Sequence, residues 1–170
     1  MLELIIIYAL NKSEFTLYSL RMYIKKHFGE ISSPSHGSLH PALKRLSDKG
    51  FINIRKKISD GGKLYSYYSL KNDYTKNFSE KFLDISFSKK EPLETFLTEI
   101  KIRIIVSILA DEVTLSEFRE KSELKLTYYK DSIETKLDDK YLELEDIQKS
   151  ILKLELEQIE KYSSLIKELK

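Results

Sequence analysis

The chain has 170 residues, of which 33% are charged and 41% are hydrophobic, a balance typical of a soluble globular protein. It has no cysteine and three histidines, which excludes disulfide bonds, thiolate nucleophiles and cysteine zinc sites. Its longest apolar run, residues 4–10, is too short to span a bilayer, and no cleavage-site pattern follows it. We therefore expect a cytoplasmic protein with no membrane partner.

The net charge of +2 is divided unevenly along the chain. Residues 1–90 hold 16 Lys and Arg against 8 Asp and Glu, whereas residues 91–170 hold 13 against 19. The first part is therefore +8 and the second −6. A basic N-terminal half suits the phosphate backbone of DNA, and an acidic C-terminal half should point away from it. An uneven but merely solvated surface would show the same counts.

Two helices are predicted before residue 30. Residues 2–11 are strongly apolar, and apolar side chains at helical spacing indicate a second helix from Thr16 or Leu17 to Phe28. The inward stripe of the second helix is Leu17, Leu20, Tyr23, Ile24 and Phe28. Gly29 is expected to end it, and the short turn that follows is typical of a helix-turn-helix.

Residues 33–52, SPSHGSLHPALKRLSDKGFI, predict a third helix over residues 35–49. Pro34 cannot continue a preceding helix, Ser35 can cap the next one, and Gly50 can end it. Pro41 lies within the first two turns, where its missing N–H is least harmful. The predicted inward stripe is Leu39, Ala42, Leu43 and Leu46. The outer face suits a major groove, since it carries hydrogen-bond donors and cations at Ser33, His36, Ser38, His40, Lys44 and Arg45.

A basic β-hairpin is predicted directly after this helix. FINIRKKI and LYSYYSL are rich in β-favouring residues, and the turn between them contains Asp60, Gly61 and Gly62, which can adopt positive φ. Arg55, Lys57 and Lys63 could then lie along a phosphate backbone. A helix-turn-helix followed by such a hairpin is a winged helix.

These motifs resemble the PadR family of bacterial winged-helix transcriptional regulators. The segment SHGSLHPALKRL, residues 35–46, is similar to the recognition-helix signature of that family, and GFI at 50–52 and YYSL at 67–70 fit as well. Upstream, LELIIIYAL resembles the first helix of the family, and Tyr18 falls where its second helix usually begins. The resemblance covers the first half of the chain and implies DNA binding and dimerisation through C-terminal helices.

The DNA-contacting residues are assigned by their position on the predicted elements. We place Ser35, His36, Ser38 and His40 near base edges, with Lys44 and Arg45 at phosphates because they lie deeper along the helix. The candidates for further backbone contacts are Tyr18, Lys25, Lys26, Arg55, Lys57 and Lys63. Each lysine could instead be an ordinary solubilising residue.

The C-terminal half is predicted to be helical. Residues 72–91 indicate a helix with Phe78, Phe82, Leu83, Ile85 and Phe87, and Pro92 marks the boundary between a DNA-binding domain, 1–91, and a helical dimerisation domain, 92–170. Further helices are predicted over residues 93–110, 115–138 and, from Tyr141 or Leu142, to Leu169. The fold class is mainly α with a small β-hairpin wing.

The last predicted helix carries a broad apolar stripe that needs neighbours. Its members are Leu144, Ile147, Ile151, Leu154, Ile159, Tyr162, Ile166 and Leu169. Antiparallel pairing with residues 115–138 of the same chain would cover it, and so would pairing across a two-fold axis. We expect both together, because a DNA reader of this size needs a homodimer to reach two half-sites.

The sequence gives no indication of an enzyme or of a cofactor. It has no GxSxG motif and no phosphate-binding glycine loop, and its acidic clusters lie in charged helical segments. Tyr8, Tyr23, Phe96, Tyr128 and Tyr129 are interpreted as core rather than as an effector cavity, so a small-molecule effector remains unidentified.

The leading hypothesis is a dimeric, sequence-specific DNA-binding regulator that acts as a repressor. Two alternatives stay open. One is a winged-helix replication or partition factor of a plasmid or phage, which would bind repeated sites away from promoters. The other is a helical module that binds protein, for which DNA affinity would be missing.

Overall fold

The computed structural model describes residues 1–58, 61–86, 88, 90–139 and 141–169, apart from the side chain of Lys76. These residues form two compact units. The first unit comprises Met1–Phe82 together with Ile108–Ala110, and the second comprises Leu83–Ser107 and Asp111–Lys170. The sequence analysis placed a boundary between a DNA-binding domain and a dimerisation domain at residues 91 and 92, and this assignment of roles stays a prediction.

Three helices build the core of the first unit. They are α1 (Leu2–Lys12), α2 (Leu17–Phe28) and α3 (His36–Asp48). The core includes Leu4, Ile5, Ile6, Ile7, Ala9 and Leu10 from α1 and Leu20, Ile24 and Phe28 from α2. From α3 it includes the predicted stripe of Leu39, Ala42, Leu43 and Leu46, each at most 2% exposed. The apolar spacing read from the sequence therefore identified the inward face of the third helix.

Local chemistry sets both ends of α3. Ser35 is the N-cap, and its hydroxyl accepts a hydrogen bond from the backbone N–H of Ser38 at 3.2 Å. Gly50 has a φ of 78°, the left-handed conformation that glycine adopts without strain. Pro41 lies inside the helix and is exposed. The helix observed, His36–Asp48, confirms the predicted one within a residue at each end.

A three-stranded antiparallel sheet completes the winged-helix motif. The hairpin strands are β2 (Ile52–Ile58) and β3 (Leu64–Leu70), and Gly62 in the turn has a φ of 74°. Asp60, also predicted for this turn, lies outside the described residues. A short strand that the sequence analysis did not predict, β1 (Phe15–Thr16), pairs with β3 to give the strand order β1-β3-β2. Two residues are too few to show a hydrophobic period of their own.

The segment after the wing contains α4 (Thr75–Leu83), which is shorter than the helical pattern read over residues 72–91. Phe78 and Phe82 of this helix are buried, with ring centroids 5.5 Å apart. Ile85 is buried beyond the end of the helix, and the predicted apolar residue Phe87 lies outside the described residues. The helix therefore accounts for the first half of the pattern only.

The second unit is built from three helices. These are α5 (Leu93–Val106), followed by a 3-10 turn at Ser107–Leu109 that falls partly in the first unit, α6 (Glu112–Asp138) and α7 (Asp146–Lys167). Glu123 contacts Ser163 at 2.7 Å, and Lys130 lies 3.5 Å from Glu160, so α6 and α7 run antiparallel. This confirms the predicted pairing of the last two helices within one chain.

The bounds of these helices differ from the predictions at their capping residues. The sixth helix begins at Glu112 rather than Leu115, because the side chain of Asp111 accepts a hydrogen bond from the N–H of Thr114 at 2.8 Å. The last helix begins at Asp146 rather than at Tyr141 or Leu142, and Glu145 forms a capping box with Gln148 there. The segment before Asp146 contains Tyr141, Leu142 and Leu144, so hydrophobic spacing alone placed the start of this helix too early.

Two cations are buried inside the second unit. Arg103 is 2% exposed and Lys125 is 3% exposed. Arg103 donates to the carbonyl of Asp84 and pairs with Glu99 at 3.0 Å, and burial lowers the pKa of Arg103 while Glu99 opposes that shift. Lys125 donates to the carbonyl of Ser86 and pairs with Glu91, and its ammonium lies 4.2 Å from the centroid of the Phe96 ring.

The same segment is held by a third side chain. The hydroxyl of Tyr129 donates to the carbonyl of Glu91 at 2.7 Å, and burial, with help from the charge of Glu91, raises the pKa of Tyr129 to about 12. The carbonyls of residues 84, 86 and 91 therefore accept hydrogen bonds from side chains of α5 and α6. Phe96 and Tyr129 stack at 5.5 Å, which agrees with their interpretation as core.

Candidate nucleic-acid interface

The outward side of α3 presents a ridge of three polar side chains. His36, His40 and Lys44 are spaced four residues apart, and all three are exposed. Residues at this spacing lie on one face of a helix, and eight residues span roughly 12 Å at 1.5 Å per residue. A ridge of that length, with donors and one cation, is compatible with the width of a B-DNA major groove.

The two serines assigned to base edges already contribute to the N-cap of α3. Ser35 accepts from the N–H of Ser38, and the hydroxyl of Ser38 donates to the carbonyl of Ser35 at 3.0 Å. Both residues are exposed, and so is Ser33 in the preceding turn. Because the cap uses their hydroxyl groups, a contact with a base would have to share or replace these hydrogen bonds.

Arg45 differs from Lys44 in its surroundings, although the two are adjacent on the helix. The Nε of Arg45 lies 2.6 Å from Oε1 of Glu3, and Lys81 of α4 pairs with the other oxygen of that carboxylate. Burial raises the pKa of Glu3, but its hydrogen bonds and charge contacts with Lys81 and Arg45 outweigh this, so the pKa is lowered overall. Arg45 therefore links α3 to α1, a contact that the sequence analysis did not anticipate.

Beside α3, the helix α2 exposes its own polar face. The hydroxyl of Thr16 caps α2 together with Ser19 in a capping box. Tyr18 is 65% exposed, and Lys25 and Lys26 are exposed in the last turn of the helix. Met22, one turn beyond Tyr18, is 45% exposed and lies on the same face, but it was absent from the predicted set.

The wing has two chemically different faces, which follow from the strand register. Arg55 lies opposite Tyr67 and Lys57 lies opposite Tyr65, so these four side chains share one face. The other face carries three exposed apolar side chains, Ile54, Ile58 and Leu64. The cations assigned to the backbone of DNA therefore lie on a face shared with tyrosines.

These tyrosines contact the wing cations. The guanidinium carbon of Arg55 lies 6.0 Å from the centroid of the Tyr67 ring, and Nζ of Lys63 lies 5.7 Å from the centroid of the Tyr65 ring. Tyrosine hydroxyls are common donors to phosphate oxygens, so both tyrosines are further candidates for backbone contacts. The alternation in LYSYYSL could have revealed them, because residues 65 and 67 must share a face of the strand.

Arg55 has a second, closer neighbour. Its Nη2 lies 2.7 Å from Oε1 and 2.8 Å from Oε2 of Glu14, a residue that directly precedes β1. Both side chains remain accessible, with 56% of Arg55 and 42% of Glu14 exposed. The guanidinium crosses the middle strand of the sheet to reach this carboxylate, since Tyr67 lies between Arg55 and Thr16 in the register.

The residues assigned to dimerisation lie in α7 and on either side of it, and they fall into three groups by their exposure. Ile159 and Ile166 are 3% and 0% exposed, so other helices of the same unit already cover them. Leu144, Tyr162 and Leu169 are half-buried. In contrast, Ile147, Ile151 and Leu154 are 64%, 52% and 54% exposed, and their spacing places them on one face of the first turns of α7.

Two negative findings apply to the described residues. Within them, no group of three or more His, Asp or Glu side chains is arranged to hold a metal ion. No helix in the described part of the chain is long and apolar enough to cross a membrane.

A family model matches part of the chain. Residues 6–78 match the model of the transcriptional regulator PadR-like family. The negative transcriptional regulator PadR of Bacillus subtilis is 37% identical to this chain over 57 residues. That alignment covers 34% of this chain and 31% of the relative, so the matched segment spans about a third of the length of that protein.

The comparison with solved structures aligns most of this chain at 14–22% identity and at TM-scores of 0.37 to 0.43. Bacillus subtilis PadR in complex with operator DNA is 21% identical, with 98% of this chain and 94% of that chain covered and a TM-score of 0.43. The same protein in complex with p-coumaric acid is 22% identical, with coverages of 98% and 94% and a TM-score of 0.42. A PadR-like regulator from Bacillus cereus is 14% identical, with coverages of 97% and 93% and a TM-score of 0.37.

Proposed function

We propose that this chain is a PadR-like transcriptional regulator that binds double-stranded DNA as a homodimer and represses transcription, because residues 6–78 match the model of that family. The ridge of His36, His40 and Lys44 would enter the major groove, and the basic wing would follow the adjacent backbone. Two bound subunits would block the promoter sterically. In this proposal the protein has no catalytic role and needs no cofactor.

One observation carries the proposal. All thirteen residues assigned to DNA lie in the first unit, and every one of them is exposed. Exposed donors and cations on α2, α3 and the wing supply both parts of DNA recognition, the contacts to base edges and the contacts to phosphates. The excess positive charge of residues 1–90 adds the attraction on which binding to any duplex depends.

The proposed dimer interface lies in the second unit. Exposed apolar side chains at Ile147, Ile151 and Leu154 form a stripe that water would otherwise contact, and a second copy of the chain could cover it. A dimer would also place two recognition helices at half-sites about 34 Å apart, one turn of DNA. We assign the dimerisation role to this stripe and to the half-buried residues Leu144, Tyr162 and Leu169.

Relatives support the proposed direction of regulation. The matched Bacillus subtilis protein is a negative transcriptional regulator, and its structure has been solved with operator DNA. A bacterial chromosome lies in the cytoplasm, so a chromosomal target implies the cytoplasmic location expected from the sequence. The same relative has also been solved with p-coumaric acid, but we assign no effector to this chain.

Fluorescence anisotropy tests DNA binding directly. The full chain is titrated onto a duplex from upstream of its own gene and onto a scrambled duplex of the same length, at several salt concentrations. Tight preference for the native duplex that persists as salt rises is the expected result. Equal affinity for both duplexes contradicts a self-regulating repressor and favours a replication or partition factor with other sites. Absence of binding favours the protein-interaction module.

Sedimentation velocity tests the dimer. Replacing Ile151 and Leu154 together by lysine should convert the protein to monomers, because lysines facing their counterparts across a two-fold axis would repel each other. Replacing Lys149 and Lys153, exposed neighbours on the same helix, by glutamine is the matched control and should leave the dimer intact. A tight dimer in the first variant would contradict the assignment of this stripe.

A further inference from the structure

The ion pair between Arg55 and Glu14 lies on a part of the wing that the proposed function assigns to DNA. Nη2 of Arg55 contacts both oxygens of the Glu14 carboxylate, at 2.7 and 2.8 Å. A phosphate group presents the same chemistry to a guanidinium as a carboxylate does, two accepting oxygens that share a negative charge. Glu14 therefore occupies the position that a backbone phosphate would take at Arg55.

The pair is accessible enough to exchange. Arg55 is 56% exposed and Glu14 is 42% exposed, and surface pairs of this kind contribute little to folding stability. Neither side chain is held by burial, so an incoming phosphate can compete for the guanidinium. This distinguishes the pair from that of Arg45, whose partner Glu3 is only 12% exposed and also pairs with Lys81.

We propose that Glu14 is an intramolecular competitor of the DNA backbone, which holds Arg55 across the wing in the unbound protein and lowers its affinity for every duplex. The proposal rests on the proposed DNA-binding function. A phosphate that binds Arg55 must replace Glu14, and the displaced carboxylate then remains close to a negatively charged backbone. Glu14 thereby limits non-specific binding without taking part in the reading of bases.

The register of the sheet explains how Glu14 and Arg55, which are distant in sequence, come into contact. The short strand β1 pairs with β3, so that Thr16, Tyr67 and Arg55 lie in one row across the three strands. Glu14 immediately precedes this strand, and the Tyr67 ring lies beneath the guanidinium as it crosses the sheet. The strand that the sequence did not reveal is thus the element that positions Glu14.

Glu14→Gln is the central variant of the test. It removes the charge while retaining the size of the side chain, and Glu80→Gln, at an exposed carboxylate on α4, is the matched control for net charge. Anisotropy with both duplexes is measured for these two variants, for Arg55→Ala, for the double variant Glu14→Gln with Arg55→Ala, and for the wild type.

Glu14→Gln is expected to bind both duplexes about two- to five-fold more tightly than the wild type, which corresponds to the loss of one exposed ion pair. Its affinity should also fall more steeply with salt, by up to about one unit of slope, because Arg55 of the variant contacts phosphate in every complex, whereas Glu14 retains Arg55 in a fraction of the wild-type complexes. The ratio of affinities for native and scrambled duplexes should not change. In the Arg55→Ala background the gain should disappear.

The control and the double variant give the outcomes that would overturn the inference. If Glu14→Gln and Glu80→Gln bind alike, the carboxylate acts only through net charge. If the gain persists without Arg55, Glu14 repels DNA directly and does not compete for the guanidinium. Either result leaves DNA binding by the wild type intact, so the proposed function survives. Absence of binding by the wild type and all variants would overturn the function and the inference together.

Discussion

Each of the two units contains a group of lysine or arginine side chains, and the two groups differ in how far they are exposed to water. In the first unit, Lys25, Lys26, Lys44, Lys57 and Lys63 are exposed on the faces of α2, α3 and the wing. In the second unit, Arg103 and Lys125 are nearly inaccessible and donate to backbone carbonyls and carboxylates of their own unit. Exposed cations can exchange partners, whereas buried cations must keep the partners that offset their loss of water.

Exposed and buried cations should therefore contribute to different properties, the exposed ones to DNA binding and the buried ones to the free energy of unfolding. Removing an exposed cation should weaken attraction to DNA and leave the free energy of unfolding nearly unchanged. Removing a buried cation should do the reverse, because its partners would remain in the interior without a charge to pair with. Arg45 falls between these classes, since it is exposed itself but its partner Glu3 is not.

The largest effect is expected for Lys125→Met. Methionine fills much of the volume but leaves Glu91 and the carbonyl of Ser86 without the ammonium, so the free energy of unfolding should fall by about 3–5 kcal/mol. Urea denaturation followed by circular dichroism measures the change. Lys121→Met, in a surface pair with Glu117 on the same helix, is the control and should change stability by less than about 1 kcal/mol. Equal stabilities for the two variants would contradict the distinction between exposed and buried cations.

Replacing Arg55, Lys57 and Lys63 together by alanine should have the largest effect on DNA binding. Phosphate contacts release counterions without reading sequence, so affinity for all duplexes should fall alike, and the salt slope should decrease by about two to three units. Anisotropy at several salt concentrations measures both quantities, and thermal unfolding should be unaltered within a few degrees. An unchanged salt slope would remove the wing from the proposed interface.

Glu3→Gln should lower stability at neutral pH by about 1–3 kcal/mol, because the half-buried carboxylate holds both Lys81 and Arg45. The pKa of Glu3 is lowered in the folded protein, so its contribution is present above the ordinary value of 4.5 and is lost as the pH falls through the lowered pKa. Urea midpoints of wild type and variant should therefore converge as the pH is lowered below about 4.5. A stability difference that is independent of pH would contradict the role of the charge.

The smallest and sharpest comparison is between two neighbours on α3. Lys44→Ala should reduce the salt slope of DNA binding by about one and leave stability within about 0.5 kcal/mol. Arg45→Ala should lower stability by about 1 kcal/mol through the loss of its contact with Glu3. Anisotropy and urea denaturation of both variants decide between the roles. Equal effects of the two variants on both measurements would show that the contact with Glu3 does not contribute to folding stability.

Much of the first unit could be predicted from short-range patterns in the sequence. The cap at Ser35, the apolar spacing from Leu39 to Leu46 and the left-handed turn at Gly50 each depend on residues a few positions apart, and the structure has all three. The hairpin strands and the mainly α fold class were predicted in the same way. Hydrophobic spacing also identified the last helix, although not the residue at which it begins.

Contacts between distant parts of the chain were decided by tertiary structure alone. Glu14 meets Arg55 across 41 positions, and Glu3 meets Arg45 across 42. Lys125 reaches Glu91 across 34 positions, and nothing near it in sequence distinguishes this buried lysine from an exposed one. The physical reason is that capping and periodicity act within a few residues, whereas burial of a charge depends on which segments pack around it. The amino-acid sequence by itself determined the third helix and the hairpin, and only the folded chain decided which cations remain accessible on them.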